Sequence, residues 1–161
     1  MSARRWVAAA FVLLSTVGFT CGPRAPPLPE TEHRCADLEP PDDGLPAVSA
    51  GIGEGESFAA PSGPLIREHG PQGGTHVTLT LRLFADQGES WQYDLSLLRG
   101  EEVVGAGGLS VTACPGSWVE STYVRLFLYD DGPIDGTLHV EAKPIAASEA
   151  ATVQEIAVTI E

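Results

Sequence analysis

Histidines and carboxylates gather around one glycine-rich segment, and these residue types could bind a metal. His69 and His76 flank the turn at 70–74, Glu68 precedes it, and His139 lies further along the chain. Imidazole and carboxylate ligands suit zinc or copper. His76 and His139 both fall on outward positions of predicted strands, so their rings would meet if those strands were neighbours. The pattern suggests a metal site formed by His69, His76 and His139, and the alternative is a shaped turn that enters a strand.

A second group of carboxylates, Asp130, Asp131 and Asp135, invites comparison with a calcium loop. If Asp131 is the first position of an EF-hand loop, Ala142 stands at the twelfth, where a bidentate glutamate is needed. The segment is therefore expected to form a carboxylate-rich hairpin turn.

The sequence contains none of the common catalytic motifs. Serine, histidine and aspartate all occur, but there is no nucleophile elbow, no HExxH helix and no phosphate-cradling glycine loop. The one lysine, Lys143, precedes Pro144 and has no activating partner in the sequence around it. We therefore expect a protein that is not an enzyme and that carries no cofactor.

The N-terminus has the pattern of an export signal. Arg4 and Arg5 precede an uncharged run at 6–20, which is too short to span a membrane comfortably, and Cys21 follows directly. This arrangement resembles a bacterial lipoprotein signal. The resemblance covers residues 1–21 and implies that Cys21 is lipidated and becomes the mature N-terminus.

The residues before Cys21 depart from the usual lipoprotein pattern. Gly18 stands where leucine is usual, and Thr20 stands where glycine or alanine is usual. Cleavage by an ordinary signal peptidase, after Gly18 or Thr20, is therefore the alternative to lipidation. With lipidation, the expected location is the cell envelope, anchored to the outer membrane or at the cell surface.

The two other cysteines form a candidate disulfide. If lipid consumes Cys21, Cys35 and Cys114 remain as a pair, and export permits a disulfide between them. The bridge would close a loop of about 80 residues, for which chain entropy predicts roughly 4.5 kcal/mol of stabilisation. Two unpaired buried cysteines are the alternative. The spacing excludes a CxxC metal or redox motif.

The charge of the chain limits its partners. It has 22 acidic and nine basic residues, a net charge of −13. All the acidic residues but only seven basic ones follow Cys21, so the exported part would carry seven minus 22 charges, or −15. This charge repels nucleic acid and anionic lipid headgroups. We expect membrane contact only through the lipid anchor, no nucleic acid, and an envelope protein or a glycan as partner.

The export signal and the proline content together divide the chain into three predicted parts. These are a signal peptide (1–20), a lipid-anchored linker (21–46) and a folded domain (47–161). The linker contains seven prolines. Because proline lacks a backbone donor, such a stretch is expected to form an extended, semi-rigid spacer rather than a helix or sheet strand.

Alternation of apolar and polar residues dominates the predicted domain. The clearest example is His76–Phe84, and similar runs recur between turn signals such as Asp131-Gly132-Pro133. Six to eight short strands of this kind predict an antiparallel β-sandwich of immunoglobulin-like architecture, with a small β-barrel as the alternative. The residues expected in the core are Leu79, Leu81, Trp91, Tyr93, Leu126 and Val158.

The segment Gly70–His76 reads Gly-Pro-Gln-Gly-Gly-Thr-His. This sequence resembles a GPQGG-x-H motif of uncharacterised predicted lipoproteins of myxobacterial type, and the resemblance covers roughly 51–84. It implies secretion and a β-rich domain, and it implies no known activity.

One predicted strand has apolar residues on both faces. Tyr123, Phe127 and Tyr129 point outward, opposite an apolar inner face. Three outward aromatic residues could mark a partner surface. The alternative is a central strand that is covered by a loop or by the N-terminal tail.

These observations favour a cell-envelope lipoprotein with an acyl anchor, a proline-rich stalk and one β-sandwich in a non-catalytic binding or structural role. A metal-binding envelope protein is the first alternative, and an exported enzyme is a more distant one.

Overall fold

The structure, a computed structural model, describes residues 29–42, 46–71, 73–85, 88–146 and 151–161. The predicted signal peptide and the predicted lipidation site, Cys21, lie outside these residues. The described chain forms nine strands and one short 3-10 turn at Gly55–Ser57. The strands are β1 (Glu32–Ala36), β2 (Ala47–Gly51), β3 (Glu68–His69), β4 (Thr75–Phe84), β5 (Ser90–Arg99), β6 (Glu102–Thr112), β7 (Trp118–Leu128), β8 (Ile134–Pro144) and β9 (Thr152–Ile160).

The strands follow the order β2-β4-β7-β6-β5-β8-β9, with β1 added to β7 and β3 added to β4. Every pair of neighbouring strands is antiparallel. The β6–β7 pair is short, because only Gly105 and Ala106 face Leu128 and Phe127. The sheet therefore divides at this joint into one layer of β2, β4 and β7 and a second layer of β6, β5, β8 and β9. Two antiparallel layers packed face to face form a β-sandwich.

The two layers also meet at the opposite side. Leu65 forms a parallel bridge with Ile160. The Leu65 N–H donates to the Thr159 carbonyl at 2.8 Å, and the Glu161 N–H donates to the Leu65 carbonyl at 3.1 Å. The sheet is thus nearly closed, as in the barrel alternative, and the prediction of an all-β antiparallel fold is confirmed.

A glycine explains how β6 can pass so close to β7 at their joint. A Cβ atom on Gly107 would lie 2.4 Å from the Arg125 carbonyl oxygen. Any side chain at this position would collide with the backbone of β7, so the crossing of the two strands requires glycine.

The core lies between the two layers and contains every predicted core residue. Their exposed fractions are between 0 and 6%. Trp91 on β5 is one of the largest fully buried side chains. Burial raises the pKa of the neighbouring core tyrosine, Tyr93, which keeps its hydroxyl neutral. The predicted core residues are Leu79, Leu81, Trp91, Tyr93, Leu126 and Val158.

The N-terminal strand corrects the predicted linker. Glu32–Ala36 lies within the range 21–46, yet it pairs antiparallel with Trp118–Thr122 of β7. No proline stands between Pro29 and Pro40, so each residue of β1 keeps its backbone donor. Over these five residues the chain is part of the sheet rather than a spacer.

Candidate functional site

Glu120 on β7 is a fully buried carboxylate that two arginines hold from opposite sides. Arg82 lies directly across from it on β4, and its Nε and Nη2 donate to Oε2 at 2.8 and 2.6 Å. Arg34 lies directly across from it on β1, and its Nε donates to Oε1 at 2.8 Å. The Gly55 N–H lies 3.1 Å from both oxygens. The carboxylate therefore joins three strands and one loop.

The loop between Ile52 and Ala59 covers this cluster from outside. Its two ends exchange backbone hydrogen bonds with each other at 2.9 and 3.0 Å. The Arg82 guanidinium donates to the Gly55 carbonyl at 2.5 Å and lies 4.0 Å from the centre of the Phe58 ring. Hydrogen bonding and a cation–π contact thus hold the arginine and the loop together.

The electrostatics of the cluster keep Glu120 ionised. Burial raises its pKa, but hydrogen bonds from Arg34, Arg82 and the Gly55 N–H lower it more, so the pKa lies below the ordinary value. Both oxygens are occupied by donors, which leaves no lone pair free to act as a base or as a metal ligand. The cluster therefore serves to fix β1 and the covering loop to the sheet.

Sequence patterns did not identify Glu120 as important. A signal was present, because Arg82 is the only arginine or lysine in the alternating run at 76–84 and Glu120 is the only carboxylate of β7. A charge in such a strand needs a partner, but only the strand order shows that these two residues are neighbours.

The predicted disulfide is confirmed. Cys35 of β1 is bonded to Cys114, with Cα atoms 5.7 Å apart. Cys35 follows Arg34 directly, so two consecutive residues of β1 are fixed to different parts of the domain. We call the disulfide and the Arg34–Glu120 pair together the β1 clamp.

His76 is buried rather than exposed on the sheet surface. It is 2% exposed, and Phe127 packs beside it with ring centres 6.0 Å apart. Its Nε2 lies 3.6 Å from Glu68 Oε2, and among the described residues this nitrogen has no hydrogen-bond partner. The imidazole and the carboxylate are adjacent, but they are only two groups.

The other two histidines do not join His76. His69 is exposed on β3. His139 is half-buried on β8, where its Nδ1 lies 3.4 Å from Glu155 Oε1. The strands β4 and β8 belong to different layers, so His76 and His139 are not on neighbouring strands. Within the described ranges, no group of three or more His, Cys, Asp or Glu side chains could hold a metal ion. The predicted convergence of the histidines is not found.

The three residues of the predicted aromatic surface differ in exposure. Phe127 and Tyr129 are 51% and 67% exposed, whereas Tyr123 is half-buried. Tyr123 has a φ of 57°, and its carbonyl accepts a hydrogen bond from the Thr31 hydroxyl at 3.2 Å. The segment before β1 therefore contacts one end of the predicted partner surface and leaves Phe127 and Tyr129 exposed.

The carboxylate-rich turn uses Asp130 internally. One oxygen accepts the Gly132 N–H at 2.8 Å, and the other accepts Arg99 Nη1 at 2.8 Å. These hydrogen bonds hold the pKa of Asp130 below its ordinary value, and the bond from the Gly132 N–H has the largest effect.

Each basic side chain that the structure describes donates to a carboxylate or a backbone carbonyl. Arg67 donates to the Asp130 carbonyl at 3.0 Å, and Lys143 donates to Asp94 at 2.5 Å. A phosphate or an anionic headgroup would have to compete with these existing contacts. The six side chains are Arg34, Arg67, Arg82, Arg99, Arg125 and Lys143.

Two open clefts of about 400 Å³ each mark the surface. One lies between the Pro61–Pro64 segment and the β8–β9 hairpin, beside Asp135 and Thr159. The other lies between β1 and the end of β6. Its lining residues are His33, Ser90, Ser110, Val111, Thr112 and Ile145.

Within the part of the chain that the structure describes, no helix is long and apolar enough to cross a membrane. Comparisons with protein-family models, with curated proteins and with solved structures find no match to this chain.

Proposed function

We propose that this protein is a lipid-anchored protein of the cell envelope whose single β-sandwich has a non-catalytic binding or structural role. The observation that carries this proposal is the β1 clamp. It fixes the N-terminal segment to the domain at β1, the first strand that the structure describes after the candidate anchor residue, Cys21.

The position of the clamp suits a tether. Cys21 and Glu32 are eleven positions apart, so the intervening chain can span at most about 40 Å. Any pull through the tether would reach β1 first. The disulfide, the buried ion pair and the ladder to β7 then spread that load over both layers, because Cys114 follows β6 and Glu120 lies on β7.

The chemistry of the domain supports the same proposal. A disulfide is favoured in exported proteins. The net charge of −13, together with basic side chains that are already paired, disfavours adsorption onto anionic headgroups. Membrane association of this domain would therefore need a covalent lipid.

The anchor is tested by expressing the full chain in a bacterial host with radiolabelled palmitate. We expect labelled wild-type protein that partitions into the detergent phase, and unlabelled, aqueous protein for Cys21→Ser. The matched control, Cys35→Ser with Cys114→Ser, removes two cysteines but keeps Cys21, and it should stay labelled. An unlabelled wild-type protein that begins at another residue would refute the anchor.

The binding role is tested at the exposed aromatic pair. A photo-crosslinking amino acid placed at Phe127 or Tyr129 in envelope-located protein should give a discrete crosslinked species. Val153 on β9 is a matched control, because its exposure of 50% is close to that of Phe127 at 51%. Crosslinking that is equal at the control position, or absent at both aromatic positions, would contradict a partner surface at Phe127 and Tyr129.

A further inference from the structure

The last residues of β6 form a strand edge without a neighbour. β6 pairs with β5 along its whole length, whereas its pairing with β7 is limited to Gly105 and Ala106. Among the described residues, nothing pairs with the far edge at 108–112, which we call the β6 edge. We propose that the β6 edge is a docking site for an extended, uncharged or basic segment of another polypeptide, which would add to the sheet as a new strand.

The backbone of the β6 edge points its hydrogen-bonding groups outward. The Ala113 N–H donates to the Glu89 carbonyl, on the side of β5, at 2.9 Å. The register between β5 and β6 is regular from Gly105 to Thr112, and backbone groups alternate in direction along a strand. Gly108, Ser110 and Thr112 therefore present their N–H and C=O groups away from β5, and all three residues are exposed.

The β6 edge also lacks three of the devices that proteins use to block edge pairing, namely charges, prolines and bulges. Proteins protect edges with charges, prolines, bulges or covering segments. Residues 108–112 read Gly-Leu-Ser-Val-Thr, with no charge and no proline, and no bulge interrupts them.

The edges of β9, β2 and β1 carry such protection. β9 is covered at its end by the Leu65 bridge. The Ala50 N–H of β2 is capped by the Gln154 side chain at 2.7 Å. β1 carries Glu32 and Arg34. The contrast singles out the β6 edge as the position that is open to strand addition.

A cleft beside the β6 edge provides room for the side chains of an added strand. Ser110, Val111 and Thr112 line it on one side and His33 on the other, with Ile145, which is 57% exposed, nearby. An incoming strand alternates its side chains, so every second one would face this cleft. Small or branched apolar side chains fit such a lining.

Charge decides which kind of strand is favoured. The chain carries a net charge of −13. An acidic segment is therefore repelled, an uncharged one is not, and a basic one is attracted. The same repulsion opposes a second copy of this chain, because two bodies of equal negative charge would have to meet along one edge. Main-chain hydrogen bonds would supply affinity and the cleft would supply specificity, as in other cases of strand addition.

The experiment uses a phage-displayed heptapeptide library selected against the full-length protein in detergent. Enriched peptides are synthesised and their binding is measured with Ser110→Pro and with Ser110→Ala. Both substitutions remove the hydroxyl that donates to Gln92 at 2.9 Å, but only proline removes the outward N–H. Because that N–H does not pair with β5, proline is tolerated here as on other edges.

We expect alternating, proline-free, acid-poor peptides whose binding is weakened about tenfold or more by Ser110→Pro and less than about threefold by Ser110→Ala. In the wild-type protein, the amide signals of Gly108, Ser110 and Thr112 should shift on peptide addition. This measurement decides the matter even if Ser110→Pro does not fold.

Three results of the peptide experiments would overturn the proposal. They are a library without enrichment, bound peptides whose amide shifts lie elsewhere, and equal binding to both Ser110 variants. A dimer that is seen by ultracentrifugation and lost in Ser110→Pro would also overturn it, because the occupant would then be a second copy. The outcome is independent of the anchor, since Cys21→Ser leaves the β6 edge intact.

Discussion

Arg82 and Glu120 face each other directly across β4 and β7, and Arg82 Nε donates to Glu120 Oε2 at 2.8 Å. Arg34 reaches the same carboxylate from β1, on the other side of β7. The single buried carboxylate of Glu120 thus pairs with the guanidiniums of both Arg34 and Arg82. Loss of that charge would leave both guanidiniums without their partner, and Arg82 would be the worse affected because its side chain is only 12% exposed.

Glu120→Gln should therefore be strongly destabilising. Removing one partner of a buried ion pair costs about 3–5 kcal/mol, and urea unfolding measures this directly. Glu102→Gln is the matched control, because that carboxylate is 67% exposed and pairs with Arg99 at the surface. The control should change stability by less than about 0.5 kcal/mol. A similar small change for both variants would show that the cluster does not stabilise the fold.

Acid should weaken the wild-type protein more than Glu120→Gln. Since the pKa of Glu120 is below its ordinary value in the folded state, the unfolded chain takes up the proton at higher pH than the folded one. The stability from this group is present above the unfolded pKa and is lost as pH falls through the folded pKa. Urea midpoints measured from about pH 6 to about pH 3 should fall less in Glu120→Gln. Some acid dependence will remain, because the pKa of Asp130 is also lowered. Equal pH dependence in both proteins would contradict this assignment.

Loss of the disulfide should destabilise the domain without unfolding the sheet. Cys35 and Cys114 are 79 positions apart, and chain entropy predicts a loss of roughly 4.5 kcal/mol when both are changed to serine. Arg34 still holds β1 to Glu120 in this variant, so the amides of β1 should keep part of their protection from hydrogen exchange. Cys21→Ser serves as the control and should leave stability unchanged. Free thiols at Cys35 and Cys114 in exported wild-type protein would contradict the bridge.

The core could be predicted from sequence because its pattern is local. Leu79 and Leu81 alternate with polar residues, and burial between two layers selects one phase of that alternation. The turns between the strands could be predicted for a similar reason, since glycine and proline determine the local backbone conformation of a turn.

The orientation of Glu120 could not be predicted, because a bulge reverses the phase of β7. Val119 faces the core before the bulge and Val124 faces it afterwards, so odd and even positions exchange roles. The register shift lies opposite Leu79–Leu81, next to Tyr123 with its φ of 57°. Positive φ is uncommon for tyrosine, so the sequence gives no local indication of the bulge.

The candidate sites depended on contacts between distant segments. His76 occupies an outward position yet is buried, because Phe127 and Glu68 flank it from the two neighbouring strands. Thr80 is likewise only 5% exposed. Whether His139 could approach His76 depended on strand order, which alternation does not encode. The pairing of β1 with β7 depended on Arg34 and Cys35 finding partners more than 75 positions away.

Substitutions at Leu81 and Thr78 should reveal which face of β4 is buried. Leu81 is fully buried, and Leu81→Ala should cost about 2–5 kcal/mol because transfer energy is lost and a cavity remains. Thr78 is the matched control on the same strand, since it is half-buried and faces outward, opposite Arg125. Thr78→Ala should cost less than about 1 kcal/mol. Thr80 is too buried to serve as that control, and Thr80→Ala should fall between the two. Denaturant unfolding of the three variants gives the ranking, and an equal loss for Thr78→Ala and Leu81→Ala would mean that β4 is not held in this register.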